Sequence, residues 1–120
     1  RIRGSEAAVP RVRSPTRSTA APILAVTAPT VAMLDASHAR LAWRAATVVG
    51  SAPAPVEYVL FRCQYARGVR DPDSLVELPA GTSLSYVDGD LRRGAVYGYT
   101  LIACTGSAYS NPSDVVYCAP

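Results

Sequence analysis

From about residue 23 onward, apolar and polar positions alternate in short runs punctuated by turn residues. Alternation with a period of two places successive side chains on opposite faces of a strand. Closely spaced turn signals between such runs are the pattern of an all-β sandwich. Pro29, Pro53, Pro55, Pro72, Pro79 and Pro112, together with Gly50, Gly68, Gly81, Gly89, Gly94 and Gly106, interrupt every long helical window. The strands follow in order. Residues 31–34 come after Pro29 and suit an edge. Ala39, Leu41 and Trp43 alternate with Arg40, Ala42 and Arg44, which predicts one buried and one wetter face. After the small-residue loop ATVVGSAPAP, residues 56–64 read as a strong strand with Tyr58 and Leu60 on one side. ARGVRDPD reads as a polar turn, SLVELP as a short edge strand, and Leu84 alternates with Tyr86 in TSLSYVD. YGYTLIAC and DVVYC close the series across the loop TGSAYSNPS, giving seven strands.

The chain has 120 residues, of which 49% are hydrophobic, enough for one buried core and too short for a multidomain enzyme. Its formal charge is +3, and all twelve basic residues are arginine. That charge is unevenly placed. Residues 1–22 hold Arg1, Arg3, Arg11, Arg13 and Arg17 against Glu6, whereas the remainder holds seven arginines against eight acids. Pro10, Pro15 and Pro22 stand among small and polar residues in this stretch, with Ile2, Val9 and Val12 its only larger aliphatic side chains. Such a segment buries too little surface to offset its ordering entropy. Residues 1–25 therefore read as an extended basic arm, and 26–120 as the sandwich. The arm lacks interleaved aromatics and any reading motif, so nucleic acid is not expected as a partner. No apolar run is long enough for a transmembrane helix. The first residues show no apolar signal-peptide core, as in a secreted chain whose leader has been removed.

Several landmarks stand in a recognisable order: APTV, then Leu41-Ala42-Trp43, then EYVLFR, then TSLSYVDGDL, then LRRGAVYGYTLIA and NPSDVV. Over roughly residues 26–119 this series resembles the fibronectin type III domain. The resemblance implies a seven-stranded antiparallel β-sandwich of immunoglobulin-like class, with strands A to G. It implies that Tyr97 forms the tyrosine corner, its hydroxyl bonded to backbone near Leu91. It also implies a core containing Trp43, Tyr58, Leu60, Leu84, Leu91, Tyr97, Tyr99, Leu101 and Ala103 between the sheets. In that topology Cys63 and Cys118 end at one pole and Cys104 at the other. A small-hydrophobe role, a bridge to another subunit and an internal disulfide all stay open for the three. The family is mostly extracellular, so the expected location is secreted or cell-surface. No Arg-Gly-Asp tripeptide is present, so integrin binding does not carry over.

Nothing in the residue pattern argues for catalysis. His38 is the only histidine, and with Asp35 and Ser37 it lies in one short turn, where a solvated turn histidine is the expectation. Cys63, Cys104, Cys118 and His38 lack paired zinc spacing. Asp71, Asp73, Asp88 and Asp90 form two Asp-x-Asp pairs that turn formation explains as well as calcium would. No cofactor or metal is expected, and Asn111 precedes Pro112, which excludes N-glycosylation there. Two functions remain. The first is a structural subunit whose arm, through Arg1, Arg3, Arg11, Arg13 and Arg17, contacts other copies or another protein subunit in a filament, array or surface layer, with PILAVTAP as an added strand. The second is an adhesion module that binds protein or glycan through the B–C and F–G loops, with Tyr109 as anchor.

Overall fold

The computed structural model describes residues 21–120. The described residues form strands and no helix: β1 (Ile23–Ala25), β2 (Thr30–Met33), β3 (Ala39–Ala42), β4 (Thr47–Val49), β5 (Glu57–Ala66), β6 (Val69–Gly81), β7 (Ser85–Asp88), β8 (Val96–Thr105), β9 (Ala108–Tyr109) and β10 (Val116–Cys118). Seven of them build two layers. One sheet has the order β2-β3-β7 and the other β10-β8-β5-β6, all antiparallel. β1 and β4 make a separate two-stranded ribbon, and β9 turns back on the end of β8.

The inward positions of these strands close the core. Ala39 and Leu41 of β3, Tyr58 and Leu60 of β5, and Tyr97, Tyr99, Leu101 and Ala103 of β8 are buried, with Trp43, Leu78, Leu91 and Cys118 beside them. Trp43 and Tyr58 pack at 5.8 Å between ring centroids, tilted by 50°. The Tyr58 hydroxyl accepts from the Ala46 N–H at 2.8 Å. At the turn before β8 the Arg92 N–H donates to the Tyr97 hydroxyl at 2.9 Å, and the Leu91 N–H donates to the Ser37 carbonyl at 3.1 Å. The first bond gives the buried phenol its polar partner, and the two together fix the corner that leads into β8.

Four expectations are corrected. ARGVRDPD is a turn only at Arg67-Gly68, where both φ angles are positive, and β6 then runs for 13 residues through Pro72. It does so as an edge strand with a bulge: pairing jumps from Arg62–Val76 to Gln64–Asp71. Inside the bulge the Gln64 N–H donates to Ser74 Oγ at 2.7 Å, which itself donates to the Asp71 carbonyl at 2.6 Å. A side chain thus takes the place of ladder bonds that proline cannot make. Leu84, expected in the core, is 43% exposed, because it lies just before β7 at the open end of the sheet. PILAVTAP is not a spare strand: Ile23, Leu24 and Ala25 pair with Val49, Val48 and Thr47, and Leu24 is buried in the core. Residues 23–25 of the segment assigned to the arm are therefore part of the folded body. TGSAYSNPS, finally, is not loop throughout, because Ala108 and Tyr109 form β9 and two serines fasten the rest to β8. Ser110 and Ser113 each donate their N–H to β8, to the Ala103 and Leu101 carbonyls, and each accepts through Oγ from the same residue's N–H, all at 2.9 Å.

Gly98 of β8 is required by close approach. A Cβ there would collide with Tyr65 Cε1 and lie 2.9 Å from Val115 Cγ1. The Tyr65 ring covers this gap and meets Tyr117 edge-on at 5.1 Å. Gly98→Ala is expected to destabilise the chain by about 1–3 kcal/mol through overpacking. Urea denaturation checks this, and the loss should shrink in a Tyr65→Ala background.

Candidate functional site

The polar centre of the molecule lies between its sheets. Arg62 is at an inward position of β5, in line with Tyr58 and Leu60, and Asp88 ends β7 at an inward position, in line with Tyr86. Arg62 Nη1 donates to both carboxylate oxygens of Asp88, at 2.8 and 2.9 Å, with side chains 17% and 5% exposed. The Tyr99 hydroxyl donates to Asp88 Oδ2 at 2.7 Å, and the Arg62 guanidinium carbon stands 5.4 Å from the Tyr97 ring centroid. Burial pushes the Tyr99 phenol far above its usual range, and its bond to Asp88 pushes further the same way. Burial alone would lower the Arg62 guanidinium, but the hydrogen bond and charge of Asp88 outweigh it and raise it. Every strong partner in this network comes from the protein itself, so the group works as a structural bridge.

The residues singled out for chemistry are dispersed. In the turn between β2 and β3, Asp35 and Ser37 both approach the same His38 nitrogen, Nδ1, at 2.9 and 3.0 Å. A catalytic relay needs the acid and the nucleophile on opposite ring nitrogens, so this is a local turn cluster. The Ser37 N–H bond, followed by the bond to His38, holds Asp35 below the usual carboxylate range. Asp71 accepts from the Asp73 N–H at 3.0 Å within the β6 bulge, while Asp88 is buried in its ion pair, so the two Asp-x-Asp pairs share no site. Among the described residues no group of three or more His, Cys, Asp or Glu converges to hold a metal.

The cysteines are free and spread over both faces of the larger sheet. Cys118 pairs with Tyr97 on the inward side, whereas Cys63 pairs with Gly98 on the outward side. Cys104 also faces outward but pairs with Glu57, six residues along β5 from Cys63, or about 20 Å at the rise of a strand. No two of them are placed to form an internal disulfide, and sharing a pole does not help Cys63 and Cys118 across the sheet. Burial raises the Cys118 and Cys104 thiols, and the charge of Glu57 adds to the effect at Cys104.

Two surfaces stand out. At the pole formed by the loops after β4 and β8, the Ala54 N–H donates to Thr105 Oγ1 at 3.2 Å, which donates back to the Ala54 carbonyl at 2.6 Å. Tyr109 is 70% exposed on β9, and the cross-strand pair Ile23–Val49 on the nearby β1–β4 ribbon is similarly open. The second surface is the outward face of β10-β8-β5-β6. It carries a cavity of about 280 Å³ lined by Phe61, Cys63, Tyr65, Leu75, Ile102 and Val115, with Gly98, Thr100 and Pro112 also contributing and Arg70 at one end. Alternation along β5 predicted its inward face only; the apolar run Val59, Phe61, Cys63 and Tyr65 on the opposite parity is the signal for this second face. Arg1, Arg3, Arg11, Arg13 and Arg17 lie outside the described residues.

The order of strands in two antiparallel layers defines an immunoglobulin-like sandwich. Comparison with solved structures narrows this to the fibronectin type III fold. The chain is similar to the fibronectin type III domain of human fibronectin type III domain containing protein 3, with 22% identity, 88% of each chain covered and a TM-score of 0.56. It is also similar to the sixth such domain of human fibronectin type III domain containing protein 3, with 21% identity, 78% of this chain and 81% of that one covered, and a TM-score of 0.58. For the FN5 domain of Drosophila Lar the values are 11%, 79%, 94% and 0.57. Neither a family model nor a curated protein matches the chain.

Asp88→Ala is expected to lower stability by about 3–5 kcal/mol, because it strands a largely buried guanidinium. Arg62→Met combined with Asp88→Leu should recover more than half of that loss, as read from a denaturant double-mutant cycle. In the folded chain an alkylating reagent should label Cys104 first and reach buried Cys63 and Cys118 only on unfolding, as read by peptide mass spectrometry.

Proposed function

We propose that the chain is a non-enzymatic structural subunit whose N-terminal arm contacts a neighbouring subunit in an extracellular or surface assembly. Fibronectin type III domains are generally non-catalytic binding and structural modules, and they are commonly extracellular. The observation that carries the reading is that, among the described residues, the core is complete from Leu24 onward, while five arginines and one acid precede it in the sequence. A basic segment of this composition suits a partner of opposite charge. No helix of the described residues is long and apolar enough to cross a membrane.

A second reading has its own observation. The exposed apolar residues Tyr109, Ile23 and Val49 near one pole suit a protein- or glycan-binding adhesion module. The two readings part on deletion of residues 1–20, a boundary that spares β1. Size-exclusion chromatography with light scattering should show assemblies for the full chain and monomers for the deletion. Monomers in both cases would remove the assembly reading, and loss of ligand binding on Tyr109→Ala would then favour the second.

A further inference from the structure

The outward face of the larger sheet is both apolar and acidic at one end. Glu57 and Glu77 stand on it, opposite Cys104 and Phe61 respectively, and Asp114 precedes Val115 at its border. Its cations, Arg67 and Arg70, gather at the other end, near the β5–β6 turn. Glu57 and Glu77 make no ion pair among the described residues. The body's modest net charge therefore hides carboxylates, without an ion-pair partner among the described residues, that stand beside an apolar groove.

The N-terminal sequence complements this face in both respects. Arg1-Ile2-Arg3 and Arg11-Val12-Arg13 repeat one pattern, an aliphatic residue between two arginines. In an extended segment the central side chain points to one side and its neighbours to the other. Arginine stems are long enough to reach sideways from such a segment to flanking carboxylates. Twenty residues precede Ala21, up to about 65 Å of extended chain, which is ample reach to a neighbouring molecule. A second copy presenting the same face in parallel would set Glu57 and Glu77 against their own equivalents, and an antiparallel copy would meet them with Arg67 and Arg70 but leave the basic N-terminal segment unused.

Resting on the assembly reading above, we infer that this face receives residues 1–13 of a neighbouring copy. The aliphatic residue of an Arg-aliphatic-Arg triplet enters the groove beside Phe61, and the arginines pair with Glu57 and Glu77. The contact joins an arm to a face and is heterologous, so it propagates from copy to copy.

Sedimentation of the full chain tests this. Glu57→Arg with Glu77→Arg should weaken self-association by roughly tenfold or more, as should Arg11→Glu with Arg13→Glu. All four positions lie on the surface or ahead of the core, and Trp43 fluorescence verifies that each variant is folded. Mixing the two variants should restore association at least to the dimer, because each retains the half of the contact that the other lacks. If deletion of residues 1–20 abolishes assembly but the glutamate variant assembles like the parent, the arm docks elsewhere; the inference falls and the assembly reading stands. A mixture that stays monomeric overturns it in favour of docking within one chain. Assembly that survives the deletion but not the glutamate variant overturns it in favour of a second copy's face. A parent chain that is monomeric at all concentrations removes both readings.

Discussion

The ion pair of Arg62 with Asp88 is the constraint around which the sandwich is arranged. Among the described residues it is the ion pair that crosses between the layers, from β5 to β7, in an interior filled mainly by aromatic and aliphatic side chains. Burying two charges is tolerable only if each finds its partners, and here Tyr99 donates the additional bond to Asp88 while Tyr97 lies against the guanidinium. Tyr97 in turn is held through the Arg92 N–H at the corner before β8. The position of that corner, the register of β8 and the separation of the sheets are thereby coupled. A one-residue slip of β7 would move Asp88 to the outward side and leave Arg62 alone in the core.

Much of this fold was legible in the residue pattern, and the reason is periodicity. Tyr58, Leu60, Tyr97, Tyr99 and Leu101 sit at alternating positions of β5 and β8, and Trp43 continues the alternation of Ala39 and Leu41 just past β3, so sequence alternation is burial alternation. Asp88 escaped because an acid next to glycine reads as a turn former, and its partner lies 26 residues away. The signal was nevertheless present: Arg62 and Asp88 both occupy inward parity, and two opposite charges at inward positions need one another. The length of β6 was hidden for a different reason. Pro72 removes a ladder donor, and only the Ser74 hydroxyl, bonded to Gln64 and Asp71, lets the strand continue around it. Ser110 and Ser113 likewise look like loop residues until β8 is set beside them.

The candidate surfaces were less legible, because outward positions obey weaker rules than inward ones. The outward face of β5 carries Val59, Phe61, Cys63 and Tyr65 where solvated residues would be ordinary, whereas Arg40 occupies an exposed position on β3. The alternation rule assigns one face of each strand to the core and does not ask what the other face is for. Gly98 sharpens the difference: without a side chain it lets Tyr65 approach β8 closely, and both residues line the groove.

The edges of the sheets are poorly suited to strand addition, which favours side-chain contacts over backbone pairing for the association proposed above. The longest edge strand, β6, carries Pro72, Pro79, Arg70, Asp71, Asp73 and Glu77 and is bulged, all features that discourage another strand from pairing. The other edges of the two layers are short, with three residues in β10 and four each in β2 and β7. β1, the first strand among the described residues, has its partner in β4. Backbone pairing between copies is thus poorly supported everywhere along the sheets. What the surface leaves open is a groove of side chains with carboxylates beside it, and that kind of site selects a partner by charge and shape rather than by backbone.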